Sequence, residues 1–386
     1  MYDSIHQFEP LVPPAMLEKA GNITRVSTML MGAAHPTSRA TIRERVRSMN
    51  SYYSNRIEGQ GTHPLNIERA LKEDFSDKPD VAKLQRIALA HIEAERELEQ
   101  RVSEGGAPMS MAFLIDAHSA LYSRISEDER RTKEGLIIEP GIIRNHEVVV
   151  GKHLPPIASS LPRFHARLDE VFNHTRAWDM QLIHIACLHH RAAWVHPFAD
   201  GNGRAVRLQS HGALWPLSDG LWSPNRGLAR NVDDYYAKLI NADALRRGDG
   251  DGRGNLSTKG LLEWVDYFLD ICADQVGFMK KMLELEGIKQ RIQGFIFFKE
   301  SQDKAIRQEA ILPLYHLFAA GPLTRKEFAQ MTGLGERTAR SLMSKLLQEG
   351  LMVSDSIYGP VRWGLPLNSM QFLFPDLYPE AATKVD

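Results

Sequence analysis

Through most of its length this chain repeats apolar residues at spacings of three and four. One stretch of the first two thirds, Leu136 to Pro156, behaves differently. A 3.6-residue apolar period means amphipathic helices, so the chain can build little but a mainly α architecture. Ile42, Val46, Met49, Tyr53 and Ile57 mark a helix over residues 40–57 that Gly59 and Gly61 end. Further helices are predicted over 80–100, 111–125, 157–173, 180–194, from Gly203 onward, 233–245 and 259–288. The exceptional stretch is rich in Ile and Val, with Pro140-Gly141 near its start and Pro155-Pro156 at its end, which predicts a β-hairpin. The first 35 residues read as an extended, proline-punctuated lead with a short helix around 14–20.

Composition excludes several classes. Lys plus Arg (47) nearly cancel Asp plus Glu (48), so no global field calls for nucleic acid or a membrane surface. Two distant cysteines, Cys187 and Cys272, cannot build a disulfide framework or a cysteine zinc cluster. No window approaches the apolar length of a membrane span, and residues 1–14 lack the pattern of a signal peptide, which makes the cytoplasm the expected location. The polar run 246–257 fails as a calcium loop: Arg253 and Gly260 stand where oxygen ligands are needed.

The chemistry concentrates in His196-Pro-Phe-Ala-Asp-Gly-Asn-Gly-Arg-Ala-Val-Arg207. Gly201, Asn202 and Gly203 allow a tight turn whose amide N–H groups open a helix, an anion-binding arrangement. Arg204 and Arg207 lie three apart on one helix face and suit phosphate oxygens. Asp200 is a hard oxygen ligand of the kind Mg²⁺ takes together with water and phosphates. His196 can accept a proton near neutrality. Phe198 reads as the apolar peg of the loop, and His184, His189 and His190 as packed core residues.

This string resembles the signature of the Fic family, HPFxxGNGRxxR, at every fixed position. His118, the segment from Gly141-Ile-Ile-Arg144 to Pro155-Pro156, and Asp234 to Asp249 resemble further family segments, so the likeness runs over roughly residues 10–275. It implies a Fic-type helical core with a small β-hairpin flap. The activity it implies is transfer of AMP from ATP to a Ser, Thr or Tyr hydroxyl of a protein. His196 would be the base, and Asp200 would hold Mg²⁺. Gly201, Asn202 and Gly203 would bind the phosphates, with Arg204 on the β- and Arg207 on the γ-phosphate. Val148, Val149, Val150 and Gly151 of the flap would be among the nucleotide-binding residues and pair with the target chain by strand addition. Tyr235 would line the adenine pocket. Asp243 stands where many relatives have Asn. Gly203 and Arg207 favour AMP over phosphate transfer.

Ser54-Asn-Arg-Ile-Glu58-Gly59 ends the first long helix with a carboxylate that opposes the helix dipole. It resembles the family's inhibitory motif, (S/T)xxxE(G/N), placed ahead of the core. The resemblance implies that Glu58 pairs with Arg207 and that Ser54 steadies it. A charge-assisted bond of ~1.5–3 kcal/mol would suppress productive ATP binding roughly ten- to a hundredfold. In some relatives the same glutamate serves AMP removal, which stays open here, as do self-modification and pairing into a homodimer.

In the last 85 residues, helices over 305–319, 324–331 and 335–349 precede a short apolar segment, 351–363, with a Tyr358-Gly-Pro360 turn. Thr324 and Glu327 form a capping box. This is the winged-helix order, with residues 335–349 in the recognition-helix position. The expected organisation is 1–105 with the inhibitory helix at about 40–58, a core over 106–275, a linker helix over 276–300, and a winged-helix-like domain over 301–386. Arg337, Arg340 and Lys345 allow DNA binding without requiring it, because acids offset most of the local basic charge. That leaves a second class, a nucleotide-sensing transcriptional regulator. No HExxH and no clustered His or Cys ligands argue for a metal hydrolase.

Overall fold

The structure is a computed structural model that describes residues 8, 12–132, 135–151 and 153–379; most of the predicted extended lead lies outside these. Helices dominate. The first five are α1 (Pro14–Leu30), α2 (Pro36–Ile57), α3 (Pro64–Ala70), α4 (Pro79–Ser103) and α5 (Met111–Tyr122). After the 123–160 segment come α6 (Leu161–Phe172), α7 (Trp178–Val195), α8 (Asn202–Ser218), α9 (Asn225–Arg230), α10 (Val232–Ala242), α11 (Thr258–Leu283) and α12 (Leu285–Gln302). The first four helices each begin with proline, whose missing N–H is one that no helix start can satisfy internally.

The predicted stripe on α2 is the face it buries: Ile42, Val46, Met49, Tyr53 and Ile57 are all nearly inaccessible. That face meets α4 and α9, while α8 lies at the centre, against α4, α5 and α7. Buried indoles find acceptors, Trp264 on the Ala186 carbonyl (2.7 Å) and Trp222 on Ser27 Oγ (2.7 Å).

Four features differ from the sequence reading. The short helix at 14–20 runs on to Leu30, because Ile23 and Leu30 extend its buried stripe. Helices α3 and α9 are too short for periodicity to reveal. The helix predicted over 259–288 stops at Leu283, where Glu284 is extended (ψ 125°) without any Gly or Pro signal, and α12 follows. The 136–156 segment carries no regular strand among its described residues. It has one-residue bridges, Arg131 with Ile137 and Val150 with His153, the latter closing a turn through Gly151 at φ +59°. Among the described residues no further strand pairs the outer edge, where Val149 is 69% exposed, so the ladder does not extend.

Beyond α12 stand α13 (Ile311–Ala319), α14 (Arg325–Thr332) and α15 (Glu336–Gln348), the antiparallel pair β1 (Met352–Val353) and β2 (Arg362–Trp363), and α16 (Met370–Leu373). The Thr324–Glu327 capping box forms in both directions. This C-terminal unit lies on α2. His35 N–H, Ser38 Oγ, Thr41 Oγ1 and Arg45 Nε of α2 and its cap donate to the carbonyls of Phe318, Leu317, Trp363 and Leu365. No described helix is long and apolar enough to cross a membrane.

Candidate active site

Helix α7 ends at Val195, and His196 caps it in the left-handed conformation (φ 52°, ψ 62°), donating its N–H to the Ala192 carbonyl. For a residue with a Cβ this conformation costs ~1–2 kcal/mol and persists only where neighbours enforce it. Four residues later the chain turns again at Gly201 (φ 77°), where any Cβ would overlap the Tyr122 hydroxyl. Asn202 pins the turn: its Oδ1 accepts from Phe198 N–H and its Nδ2 donates to the Phe198 carbonyl, both at 2.9 Å. Phe198 is fully buried, the anchor the sequence suggested. Asp200 is exposed at the mouth, with Oδ1 accepting from Gly201 N–H at 2.6 Å.

Helix α8 then presents both arginines. Arg207 is buried; its Nε donates to Ser54 Oγ (3.0 Å), and its Nη2 donates to the Ser54 carbonyl (3.1 Å) and to Glu58 Oε1 (2.6 Å). Arg204 donates from Nη1 to Gln60 Oε1 (2.8 Å) and from Nη2 to Tyr122 Oη (2.7 Å). The end of α2 and the turn through Gly59 (φ +71°) thus hold both guanidinium groups. Gln60 and Tyr122 carry no motif, and sequence reasoning missed them. Burial alone would raise the Glu58 carboxyl, but Arg207 and then Arg204 hold it below the usual carboxylate value. Burial pulls His196 down to about 4, so the imidazole is neutral at pH 7.

His118 of α5 is buried between the rings of Tyr122 and Phe198 (centroids 4.5 and 3.9 Å away). Its Nδ1 lies 2.9 Å from Gly141 N and its Nε2 3.1 Å from the Asp200 carbonyl. Arg144 donates from Nε to the His196 carbonyl (2.8 Å).

Tyr235 does not line an open pocket. It is 2% exposed, its hydroxyl 3.0 Å from His189 Nε2, because α10 turns that face into the Trp264 core. Its neighbour Tyr236 is exposed and donates to the Ile57 carbonyl (3.4 Å) beside Glu58. His184, His189 and His190 are core residues, and His190 Nε2 engages Asp243 Oδ1 (3.0 Å). The Val148–Gly151 segment lies at the surface, with Val149 and Val150 exposed.

One buried constellation has no sequence signature. Glu95 and Glu99 of α4 meet His211 of α8, with ligand-type atoms within 4.8 Å of one another. Side chains of α2 already occupy the carboxylates: Arg47 pairs with Glu99, and Asn50 Nδ2 donates to Glu95 Oε1 (2.9 Å). His211 Nε2 lies 2.9 Å from Glu99 Oε1. The cluster ties α2 to α4 and α8.

A left-handed histidine, a glycine nest and paired arginines thus stand together where the central helix α8 begins. Residues 108–212, which include the whole His196–Arg207 string, match the model of the Fic/DOC family. A Fic family protein from Desulfovibrio desulfuricans G20 superposes with a TM-score of 0.51 at 18% identity, covering 93% of this chain and 99% of that one. A Fic domain containing signaling protein from Bacteroides thetaiotaomicron gives 0.52 at 16% identity, over 68% and 96%. The protein adenylyltransferase Fic of Nematostella vectensis is 24% identical over 197 residues, half of this chain and 42% of that protein. The chain therefore spans less than half of the curated relatives it matches.

Proposed function

We propose that this protein transfers AMP from ATP to a Ser, Thr or Tyr hydroxyl of a target protein, and that Glu58 holds the activity in check. The observation that carries the reading is the Glu58–Arg207 ion pair lodged at the first turn of α8, beside a neutral His196. An acidic side chain occupies the place where an anion-binding nest and two arginines would receive a triphosphate.

With Glu58 withdrawn, Arg207 and Arg204 are free to grip the outer phosphates and the Gly201–Gly203 turn to cradle them. The target hydroxyl gives its proton to His196 as its oxygen attacks the α-phosphorus. The bond from that phosphorus to the bridging oxygen breaks, and pyrophosphate leaves. Positioning and charge stabilisation supply the rate, as in other phosphoryl-type transfers. Asp200, exposed and with Oδ1 engaged only by a backbone N–H among the bonds described, fits the single-carboxylate binding typical of Mg²⁺, which would neutralise charge on the phosphates there. Tyr236 and Ile240, both exposed and one helical turn apart on α10, offer an apolar platform for the base in place of Tyr235. The exposed edge of Val148–Gly151 suits strand addition by the target. The name of the Nematostella relative supports the same reaction.

The regulator reading draws less support. On α15, in the recognition-helix position, Arg340 pairs with Glu336, and Lys345 with Asp303 and Glu349, so two of three basic side chains are already partnered. Removal of AMP from targets, in which Glu58 would orient water, is a second reaction proposed for the same pocket. A cytoplasmic setting suits the buried free thiols Cys187 and Cys272.

The test is label from ATP in the presence of Mg²⁺, followed into protein. Glu58→Gly should raise incorporation and His196→Ala abolish it; a Glu58→Gly protein no more active than the parent would sink the inhibitory role.

A further inference from the structure

We propose that His118 and Arg144 are positioning residues that yoke the 136–156 flap to the base-bearing loop, so that these two side chains set the register between an acceptor hydroxyl and His196. The inference rests on the adenylyl-transfer reading above.

The flap lacks the features that usually fix such a segment. It has no regular strand among its described residues, and Ile142, Val149 and Leu154 are exposed. A cavity of about 230 Å³ lies beneath its first half, bounded by Ile138, Ile142, Ala199, His118 and Arg144. Packing density therefore does not dictate where the flap sits, and directed hydrogen bonds must.

Four of those bonds reach main-chain carbonyls of residues 194–200. Gly141 N–H donates to His118 Nδ1 (2.9 Å), which makes Nδ1 an acceptor and leaves the proton on Nε2; Nε2 then donates to the Asp200 carbonyl (3.1 Å). Arg144 N–H donates to the Pro197 carbonyl (2.9 Å) and Nε to the His196 carbonyl (2.8 Å). Its two Nη groups clasp the flap itself, on the His146 (2.9 Å) and Pro156 (2.6 Å) carbonyls. Only the planar fork of Arg reaches three carbonyls at once. His153 adds a bond to the Trp194 carbonyl (2.8 Å).

His196 owes its left-handed backbone in part to this grip, since its carbonyl is the one that Arg144 Nε holds. Glu58 bonds neither side chain; it engages Arg207. Triphosphate entry and acceptor register are thus under separate control.

The experiment uses the full chain in a Glu58→Gly background, with His118→Asn, His118→Gln and Arg144→Lys added singly. Asn keeps an acceptor near the Nδ1 position, and Gln keeps a donor near the Nε2 position. Three quantities are read: amide exchange at 141–144, affinity for ATP with Mg²⁺, and label incorporated into a cell lysate used as acceptor mixture. Arg144→Lys and His118→Gln should speed exchange at 141–144 and lower incorporation, each roughly tenfold, as loss of one buried hydrogen bond allows, with ATP affinity within about twofold. His118→Asn should restore protection at Gly141 where His118→Gln does not. Unchanged exchange at 141–144 overturns the yoke. So does ATP affinity that falls in step with incorporation, or exchange that rises across the whole chain with a lower Tm, because either marks ordinary support of the fold. A Glu58→Gly parent that labels nothing would defeat the adenylyl-transfer reading instead, while the exchange data still decide whether the two side chains hold the flap.

Discussion

The carboxylate of Glu58 rests against the α-carbon of Gly203: a methyl group built on that glycine would come within 2.6 Å of Oε1. The acid thus sits inside the turn that opens α8, and a phosphate oxygen cannot share the space. Glu58→Gly should therefore raise AMP incorporation roughly ten- to a hundredfold, the equivalent of a charge-assisted bond. Glu58→Gln, which keeps the shape without the charge, should fall between the two. Labelled ATP with gel or mass readout measures both.

His196 is neutral at pH 7, and the bond described for its side chain runs from Nδ1 to the Ala193 carbonyl (3.3 Å) rather than to Arg204 or Arg207. His196→Ala in the Glu58→Gly background should reduce incorporation by about 10²–10⁴-fold, the usual share of a general base. Affinity for ATP, measured by calorimetry, should change little. A parallel loss of affinity would place the imidazole in binding rather than in proton transfer.

Acid should destabilise the protein through its buried neutral histidines. His118 is fully buried and held at about 4, and His91, pulled down chiefly by burial, at about 3. An unfolded histidine takes up its proton near pH 6.5, whereas these stay neutral in the fold. Stability they leave intact above pH 6.5 is therefore lost as pH falls from 6.5 toward 4. The loss reaches about 3 kcal/mol for His118 at 1.36 kcal/mol per pH unit. Thermal unfolding between pH 8 and pH 5 should show Tm falling on the acid side, with a shallower slope in His118→Gln.

Gly201→Ala should be damaging for two independent reasons, its φ of 77° and the overlap of any Cβ with Tyr122. About 1–3 kcal/mol of destabilisation is expected, visible as a Tm lower by several degrees. ATP affinity of the Glu58→Gly form should drop as well, since Tyr122 also steadies Arg204.

Much of this was readable from the residues. The stripe from Ile42 to Ile57 placed α2 and its buried face, because a long amphipathic helix leaves a periodic record. The string from His196 to Arg207 named the turn and both arginines. The Ser54–Glu58 motif named a contact 149 residues away in sequence, which composition and spacing alone could not have done. What stayed hidden depends on tertiary approach. Gln60 and Tyr122 reach Arg204 from different elements; Glu95, Glu99, His211 and Arg47 become neighbours only when three helices meet. The burial of Tyr235 was hidden too, since sequence does not say which face of a short amphipathic helix such as α10 turns inward.

The bonds between α2 and the C-terminal unit bear on how the Glu58–Arg207 pair could be opened. From His35 to Arg45 the helix is tethered to four carbonyls, and at Arg47 and Asn50 it is tied to α4. Sliding the whole helix out would break all of these together. Beyond Asn55 only the final turn remains, followed by glycines at 59 and 61, so release by unwinding three or four residues is the less demanding route. An activator would then need to capture a frayed end near Glu58, and it could leave the rest of the molecule undisturbed.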